Sequence, residues 1–391
     1  MRPLNGVRVI ALEHAVAAPL CTRHLADLGA DVIKIERPKG GDFARHYDDF
    51  VHGASSFFVW LNRGKRSVTL DVKHPDGRGV LHRLVAGADV LVQNLAPGAA
   101  ARLGLDHPAL SPTHERLIVC DISGYGESGP FAQKKAYDLL IQAEAGLISV
   151  TGTPEQPARA GISIADIATG MYAQSGILAA LLRRERTGQG ANVKIAMLDA
   201  LAEWMTHPLY RFAYAGTATP RAPTSHPLLA PYGGHKTKDG QVIFGLQNER
   251  EWAVFCTGVL RRPELIGDPR FATNIVRCQH RDALTELIEA YFADKSSLEV
   301  TQILDLAGIA NGRLNHPGDV WAHPQLEARD RWRDVNVPGG RVRALLPPVT
   351  FTDTEAAMGD VPALGEQTDQ ILGQLGYGPN DIASLRAGGA V

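Results

Sequence analysis

A single carboxylate, Asp166, stands at the opening of the stretch GISIADIATGMYAQSGILAALLRRERT, residues 161–187. An aspartate in that place has two possible jobs. As an N-cap it accepts a hydrogen bond from an orphan backbone N–H of the helix it starts. As a nucleophile it attacks an acyl carbon and becomes acylated, while the positive end of the helix dipole holds it ionised. With a reference carboxyl pKa of about 3.9, such a group is charged at neutral pH without help from a metal. Periodicity alone leaves both jobs open.

The element that positions this carboxylate is readable. Ile167, Met171, Ile177, Leu178, Leu181 and Leu182 recur at roughly helical spacing among small residues. Arg183, Arg184 and Arg186 suit the negative end of the dipole, and Gly188 and Gly190 stop the helix. Upstream, residues 7–13 read as a buried strand, 19–28 as a helix ended by Gly29, and 31–36 as a second strand. Strands follow at 67–71, 89–93 and 117–123, with helices at 76–86 and 97–103 between them. This alternation predicts a large doubly wound, Rossmann-like α/β domain with ligands at the carboxyl ends of its strands. Polar turns cluster at those ends, at residues 14–19, 37–42, 73–77, 94–98 and 124–130. No GxGxxG follows the first strand, which disfavours a dinucleotide-dependent dehydrogenase.

From Met205 prolines 208, 220, 223, 227 and 231 read as a linker across a surface. A hairpin turning at Lys238-Asp239-Gly240 follows, then helices at 250–260, 281–293 and 297–307. Residues 316–343 are again punctuated by Pro and Gly, and helices at 368–375 and 381–387 end the chain. The expected layout is residues 1–204 as the first part of the large domain, 205–330 as linker and small α+β domain, and 331–391 as a return.

Composition narrows the classes. An apolar fraction of 45%, a charged fraction of 21% and a net charge of −2 are those of a soluble globular chain. They give no reason to expect nucleic acid or a membrane as partner, so any anion site must be local. Four scattered cysteines, Cys21, Cys120, Cys256 and Cys278, fit neither a zinc site nor a disulfide framework. A cytoplasmic location and no bound metal are expected.

Several long motifs carry a specific likeness. LADLGADVIKIERPKGGDFAR, LNRGKRSVTLDVKHPDGRGVLHRLVAGADVLVQNLAPGAAARLG, ISGYGESGPFAQKKAYDLLIQAEAGLISVTG and the Asp166 helix resemble the family III CoA-transferases of the CaiB–BaiF type. The resemblance runs from residue 4 to about 390 and is densest in the first 200 residues. It implies an interlocked homodimer, coenzyme A as (co)substrate rather than permanent cofactor, and Asp166 as the catalytic carboxylate. It also implies CoA contacts from His14, Ala15, Val16 and Ala17, from Arg37, and from Leu70 and Lys73. Further contacts implied are Asn94, Leu95 and Ala96, Arg102, and Lys135, Ala136, Tyr137 and Asp138. Read singly, Lys73 and Arg102 are ordinary surface charges and Arg37 a strand-end ion pair.

Two departures narrow the activity. The four-glycine run of formyl-CoA and oxalate members is missing from residues 224–235, which argues against those acyl groups. Tyr137 stands where the related α-methylacyl-CoA racemases carry a histidine, so one of their two bases is absent. Further phrases are similar to the branch handling itaconate, mesaconate, succinate or citramalate, with transfer between molecules or between two carboxyls of one molecule. A second substrate carboxylate needs a cation, for which Arg45, His46 and Arg250 are candidates. Gly233 and Gly234 are candidates for an oxyanion-stabilising turn.

Overall fold

The computed structural model describes residues 1–391. Six strands, β1 (Arg8–Leu12), β2 (Asp31–Glu36), β3 (Lys65–Thr69), β4 (Val90–Gln93), β5 (Ile118–Ser123) and β6 (Ala191–Ala196), form one sheet. Their order is β3-β2-β1-β4-β5-β6, and every neighbouring pair is parallel. Val9 of β1 lies opposite Val32 on one side and Val90 on the other. The strand order reverses between β1 and β4, and a crevice opens at such a point in a doubly wound sheet.

Ten helices lie along residues 17–215 of the chain. They are α1 (Ala17–Asp27), α2 (Ser56–Asn62), α3 (Pro75–Ala86), α4 (Ala99–Arg102), α5 (His107–Leu110), α6 (Asp138–Glu144), α7 (Leu147–Val150), α8 (Ile164–Thr187), α9 (Met197–Trp204) and α10 (Thr206–Ala215). Strand residues alternate between two cores because side chains point to opposite faces. Ile10, Leu12, Ile33, Ile35, Leu91 and Val119 pack with Val80, Leu81 and Leu84 of α3. Val9, Ala11, Val32, Val90, Ile118 and Cys120 pack on the other face with Leu25 of α1 and Ile177 of α8. Each large apolar side chain so buried contributes roughly 1.5–3 kcal/mol. Helix α8 meets α1 at Gly170, where an added Cβ would lie 2.6 Å from the Ala17 carbonyl oxygen.

Several boundaries differ from the sequence expectation, each for a local reason. Strand β3 spans Lys65–Thr69 rather than 67–71, its start set by Lys65, which is buried by its ion pair with Glu13. Helix α1 starts at Ala17, and Pro19 sits in its first turn, where a missing N–H costs nothing. Gly98 at φ 71° delays α4 to Ala99. Pro208 falls in the first turn of α10, so a helix occupies the start of the expected linker. Strand β6 extends the sheet beyond the five strands read from the sequence.

The chain divides into two compact units. One comprises Met1–Gly146, Ala160–Thr206 and Leu326–Val391 and contains the six-stranded sheet; the other comprises Leu147–Arg159 and His207–Gln325. The second holds β7 (Tyr232–Lys236), β8 (Gln241–Gly245) and β9 (Asn311–Arg313), antiparallel around the anticipated hairpin, over a core that includes Trp252, Phe255 and Phe292. In the first, the Pro/Gly-punctuated return also forms an antiparallel pair, Trp332–Val337 with Gly340–Leu345. No helix is long and apolar enough to cross a membrane. The four cysteines are free.

Candidate active site

The crevice between β1 and β4 is stitched by one side chain. Asn94 Oδ1 accepts the His14 backbone N–H at 2.9 Å, and its Nδ2 donates to the His14 carbonyl at 2.9 Å. The His14 ring stacks on Phe43 at 5.5 Å, and its Nδ1 is buried without a hydrogen-bond partner. Burial lowers the His14 pKa, so the ring is neutral at pH 7 and able to bond a ligand. Ala15 follows at φ 62°, its N–H held by Asp42 Oδ1 at 3.2 Å. Val16 then packs on Leu20 and Leu61, and Ala17 opens α1 with no side chain capping it.

The other anticipated ligand positions surround the same strand ends. Arg37 is exposed and donates from Nε and Nη2 to the Gly41 carbonyl. Lys73 and Arg102 are exposed, and Arg102 ends the short α4 above the Gly98 turn. Leu95 donates its N–H to Gln93 Oε1, while Ala96 is exposed. Leu70 is only 1% exposed and lies in the core, so any ligand contact there comes from its backbone. Ala136 abuts Gly124 after β5, where an added Cβ would lie 2.3 Å from the Ala136 Cβ. Lys135 is exposed, and Tyr137, 65% exposed, precedes α6.

Asp166 and Asp138 meet across 28 residues of sequence. Asp138 Oδ1 accepts the backbone N–H of Ala165 at 2.9 Å and that of Asp166 at 3.4 Å. Asp138 therefore caps α8 from another helix. The N-cap position belongs to Ser163, and Asp166 stands in the first turn rather than before it, which corrects the expected capping role. The Asp166 carboxyl is thereby left free to face other groups. Its charge state also differs from the expectation of a fully ionised group. Burial, then the like charge of Asp138, raise its pKa from 3.8 to about 7, against the lowering effect of the Ala17 backbone N–H. Tyr47 faces the same place: burial, Asp42, Asp166 and Tyr137 push its phenol up to about 12, so it remains a donor.

The remaining candidates separate. Arg45 pairs with Glu36 through both Nε (2.8 Å) and Nη2 (2.7 Å) and lies 3.7 Å over the Phe58 ring. Its charge is already neutralised, which removes the reading of a free cation for a substrate carboxylate. His46 is exposed, with Nε2 3.0 Å from the Gly40 carbonyl. Gly233 and Gly234 lie on β7 in the second unit, and Arg250 is exposed on the helix Glu249–Val254 of that unit. Sequence reasoning missed Asp42 and Tyr47. The signal for the first was the GD pair inside KGGDFAR, close after the charged strand residues Lys34 and Glu36.

The family III CoA-transferases match residues 4–368. The chain belongs to that family. This CoA-transferase is 33% identical over 396 residues to succinyl-CoA:glutarate CoA-transferase of Mus musculus, covering 100% of this chain and 91% of the relative. It is 31% identical to succinyl-CoA–D-citramalate CoA-transferase of Chloroflexus aurantiacus, covering 99% and 97% respectively. Among solved structures, a CaiB/BaiF family protein from Brucella suis superposes with a TM-score of 0.85 at 34% identity, covering 96% of this chain and 99% of that one. The substrates of the CoA-transferase are thus CoA thioesters, with CoA entering the reaction as a substrate.

Proposed function

We propose that this CoA-transferase moves CoA from succinyl-CoA to a small C4–C5 dicarboxylate through acylation of Asp166. The observation that carries the reading is the placement of Asp166: largely withdrawn from water, unpaired with any cation, and set against the first turn of α1 beside the β1–β4 crevice. A carboxylate ionised in such surroundings is poorly solvated and therefore nucleophilic.

An Asp166 oxygen attacks the thioester carbonyl, the C–S bond breaks, and CoA leaves as the thiolate with a mixed anhydride on the enzyme. The thiolate attacks the Asp166 acyl carbon, the anhydride C–O bond breaks, and succinate departs from an aspartyl-CoA thioester. The acceptor carboxylate displaces the thiolate from that thioester, giving a second anhydride. The thiolate then attacks the acceptor's acyl carbon and frees the Asp166 carboxylate. No proton is consumed overall. Cradling of the thioester falls to the turns at His14–Ala17, Asn94–Ala96 and Lys135–Asp138, with Arg37, Lys73 and Arg102 as the cations for phosphate groups. Backbone N–H groups at the start of α1 are suited to the developing oxyanion.

Dicarboxylate use is supported by the relatives named for glutarate and citramalate. Itaconate and mesaconate are acceptors of the same size and charge. The interlocked homodimer belongs to the same proposal. Its support is α10, which buries none of its residues and leaves the large apolar and aromatic side chains of Leu209, Tyr210, Phe212 and Tyr214 51–85% exposed.

The deciding experiment incubates the enzyme with succinyl-CoA and glutarate, citramalate, itaconate, mesaconate or acetate, and identifies new thioesters by mass. Hydroxylamine added during turnover is expected to convert Asp166 to its hydroxamate. A protein that turns over with Asp166 unmodified would end the nucleophile assignment. New thioesters formed only with acetate would end the dicarboxylate assignment.

A further inference from the structure

Beneath the His14–Ala17 turn lies a cluster of charges that the transfer chemistry does not use. Glu13, Lys34 and Asp42 are 0% exposed and Lys65 is 3% exposed. Lys34 Nζ lies 2.8 Å from Asp42 Oδ2 and 3.3 Å from Glu13 Oε1, and Lys65 Nζ lies 2.6 Å from Glu13 Oε1. Taking four charges out of water is expensive, and well-packed apolar residues commonly stabilise such a site as well or better. Stability alone is therefore a weak reason for it.

The cluster grips the backbone that faces Asp166. Asp42 Oδ1 accepts the N–H of Ala15 at 3.2 Å and of Ala44 at 3.0 Å. Lys65 Nζ donates to the Pro19 carbonyl at 3.0 Å, and the Thr22 hydroxyl donates to Glu13 Oε2 at 2.6 Å, so the first turns of α1 are tied to the same charges. Ala15 sits at φ 62°, a conformation that costs a residue with a Cβ roughly 1–3 kcal/mol and persists only where the surroundings impose it. Two residues later comes Ala17, in the turn on which Ile167 packs and whose carbonyl faces Gly170 of α8, so that its amide lies beside Asp166 and acts on it.

We propose that Asp42 is a positioning residue for the transfer reaction: by holding Ala15 in its left-handed conformation, it aims the Ala17 amide at the Asp166 carboxylate. This rests on Asp166 being the nucleophile. The groups around Asp166 are Asp138 from α6, Tyr47 and the Ala17 amide. Those around Asp42 are Lys34, Glu13, Glu36, Lys65, His14 and Tyr47. Loss of the amide removes a group that favours ionised Asp166, so the nucleophile's titration moves upward.

The test measures kcat and kcat/KM for succinyl-CoA against pH, with hydroxylamine trapping, in three variants. Asp42→Ala releases Ala15. Ala15→Val leaves every charge in place but resists the positive φ. Asp42→Asn keeps an oxygen where both amides donate. In Asp42→Ala and Ala15→Val, kcat is expected to fall about tenfold or more, with the acid limb of kcat/KM moved up by about half a pH unit or more. Asp42→Asn should restore the wild-type limb. If Asp42→Ala does not fold, Ala15→Val decides alone. Acylation of Asp166 with an unmoved limb in the folded releasing variants overturns this proposal and leaves the nucleophile intact. Turnover without acylated Asp166 in the wild type overturns both.

Discussion

Asp42 and Asp166 both serve the first turn of α1, and both are withdrawn from water, but their neighbours differ in sign. Burial pushes the Asp42 carboxyl upward, yet Lys34 and the backbone amides of Ala44 and Ala15 more than offset this and hold it below the usual range. At Asp166 burial and Asp138 act in the same direction, only the Ala17 amide opposes them, and the pKa reaches about 7. Burial is common to the two. The sign of the nearest charge decides whether a carboxylate is a fixed strut or a group whose charge can be used.

The comparison breaks most directly if Asp166 can be dispensed with. Asp166→Ala should lose at least about a thousandfold in kcat, as removal of a covalent nucleophile does, while calorimetric affinity for CoA changes by less than about threefold. Retained turnover would make Asp166 another buried strut. The next effect concerns the contact that brings the two regions together. Gly170 faces the Ala17 carbonyl, and a Cβ would stand 2.6 Å from that oxygen and 3.1 Å from the Leu20 Cβ. Gly→Ala inside a helix ordinarily gains roughly 0.5–1 kcal/mol. Gly170→Ala should instead lose about 1–3 kcal/mol in denaturant unfolding, as overpacking does, and lower kcat about tenfold by parting α8 from α1. A gain in stability would show that the helices yield freely.

Asp138→Asn sharpens the contrast without disturbing the contact. Asparagine keeps an oxygen for the Ala165 N–H but removes the like charge, so the Asp166 pKa should fall from about 7. The acid limb of kcat/KM should move down by about one pH unit, opposite to its movement in Asp42→Ala. An upward shift would mean that Asp138 acts through the cap rather than through its charge.

Much of the sheet was legible because parallel strands buried on both faces are nearly continuous apolar runs. The strand over Asp31–Glu36 has its expected limits, and β1, β4 and β5 begin and end within one residue of theirs. The pattern failed at the start of β3, where Lys65 looks solvent-facing until its partner Glu13 is known. At the site, residue type and spacing singled out Asp166 and the glycine- and proline-rich turns, but only the family resemblance favoured a nucleophile over a cap. The cap supplied by Asp138 could not be read, because it joins two helices through a tertiary contact. Nor could the Asp166 charge state: the reference value describes a solvated aspartate, and only the fold supplies the burial and the second carboxylate. Arg45 was misread for the same reason, since its partner Glu36 lies nine residues away on β2.

The smallest expected effect tests the electrostatics apart from catalysis. Unfolded Asp166 titrates at its ordinary 3.8 and folded Asp166 near 7, so between those values the folded chain binds more protons. Stability contributed by the protonated form is therefore fully present below pH 3.8 and is lost as pH rises through about 7. Asp166→Asn keeps the shape and cannot ionise. Relative to wild type it should gain on the order of 1–2 kcal/mol between pH 5 and pH 8, less than full linkage because Asp166 retains some solvent contact. Chemical unfolding of both proteins at the two pH values measures the difference. For Asp42→Asn the sign reverses, because the folded carboxyl lies below its ordinary value and its ionised form stabilises the fold. A pH-independent offset for Asp166→Asn would show that Asp166 is solvated like an ordinary surface aspartate.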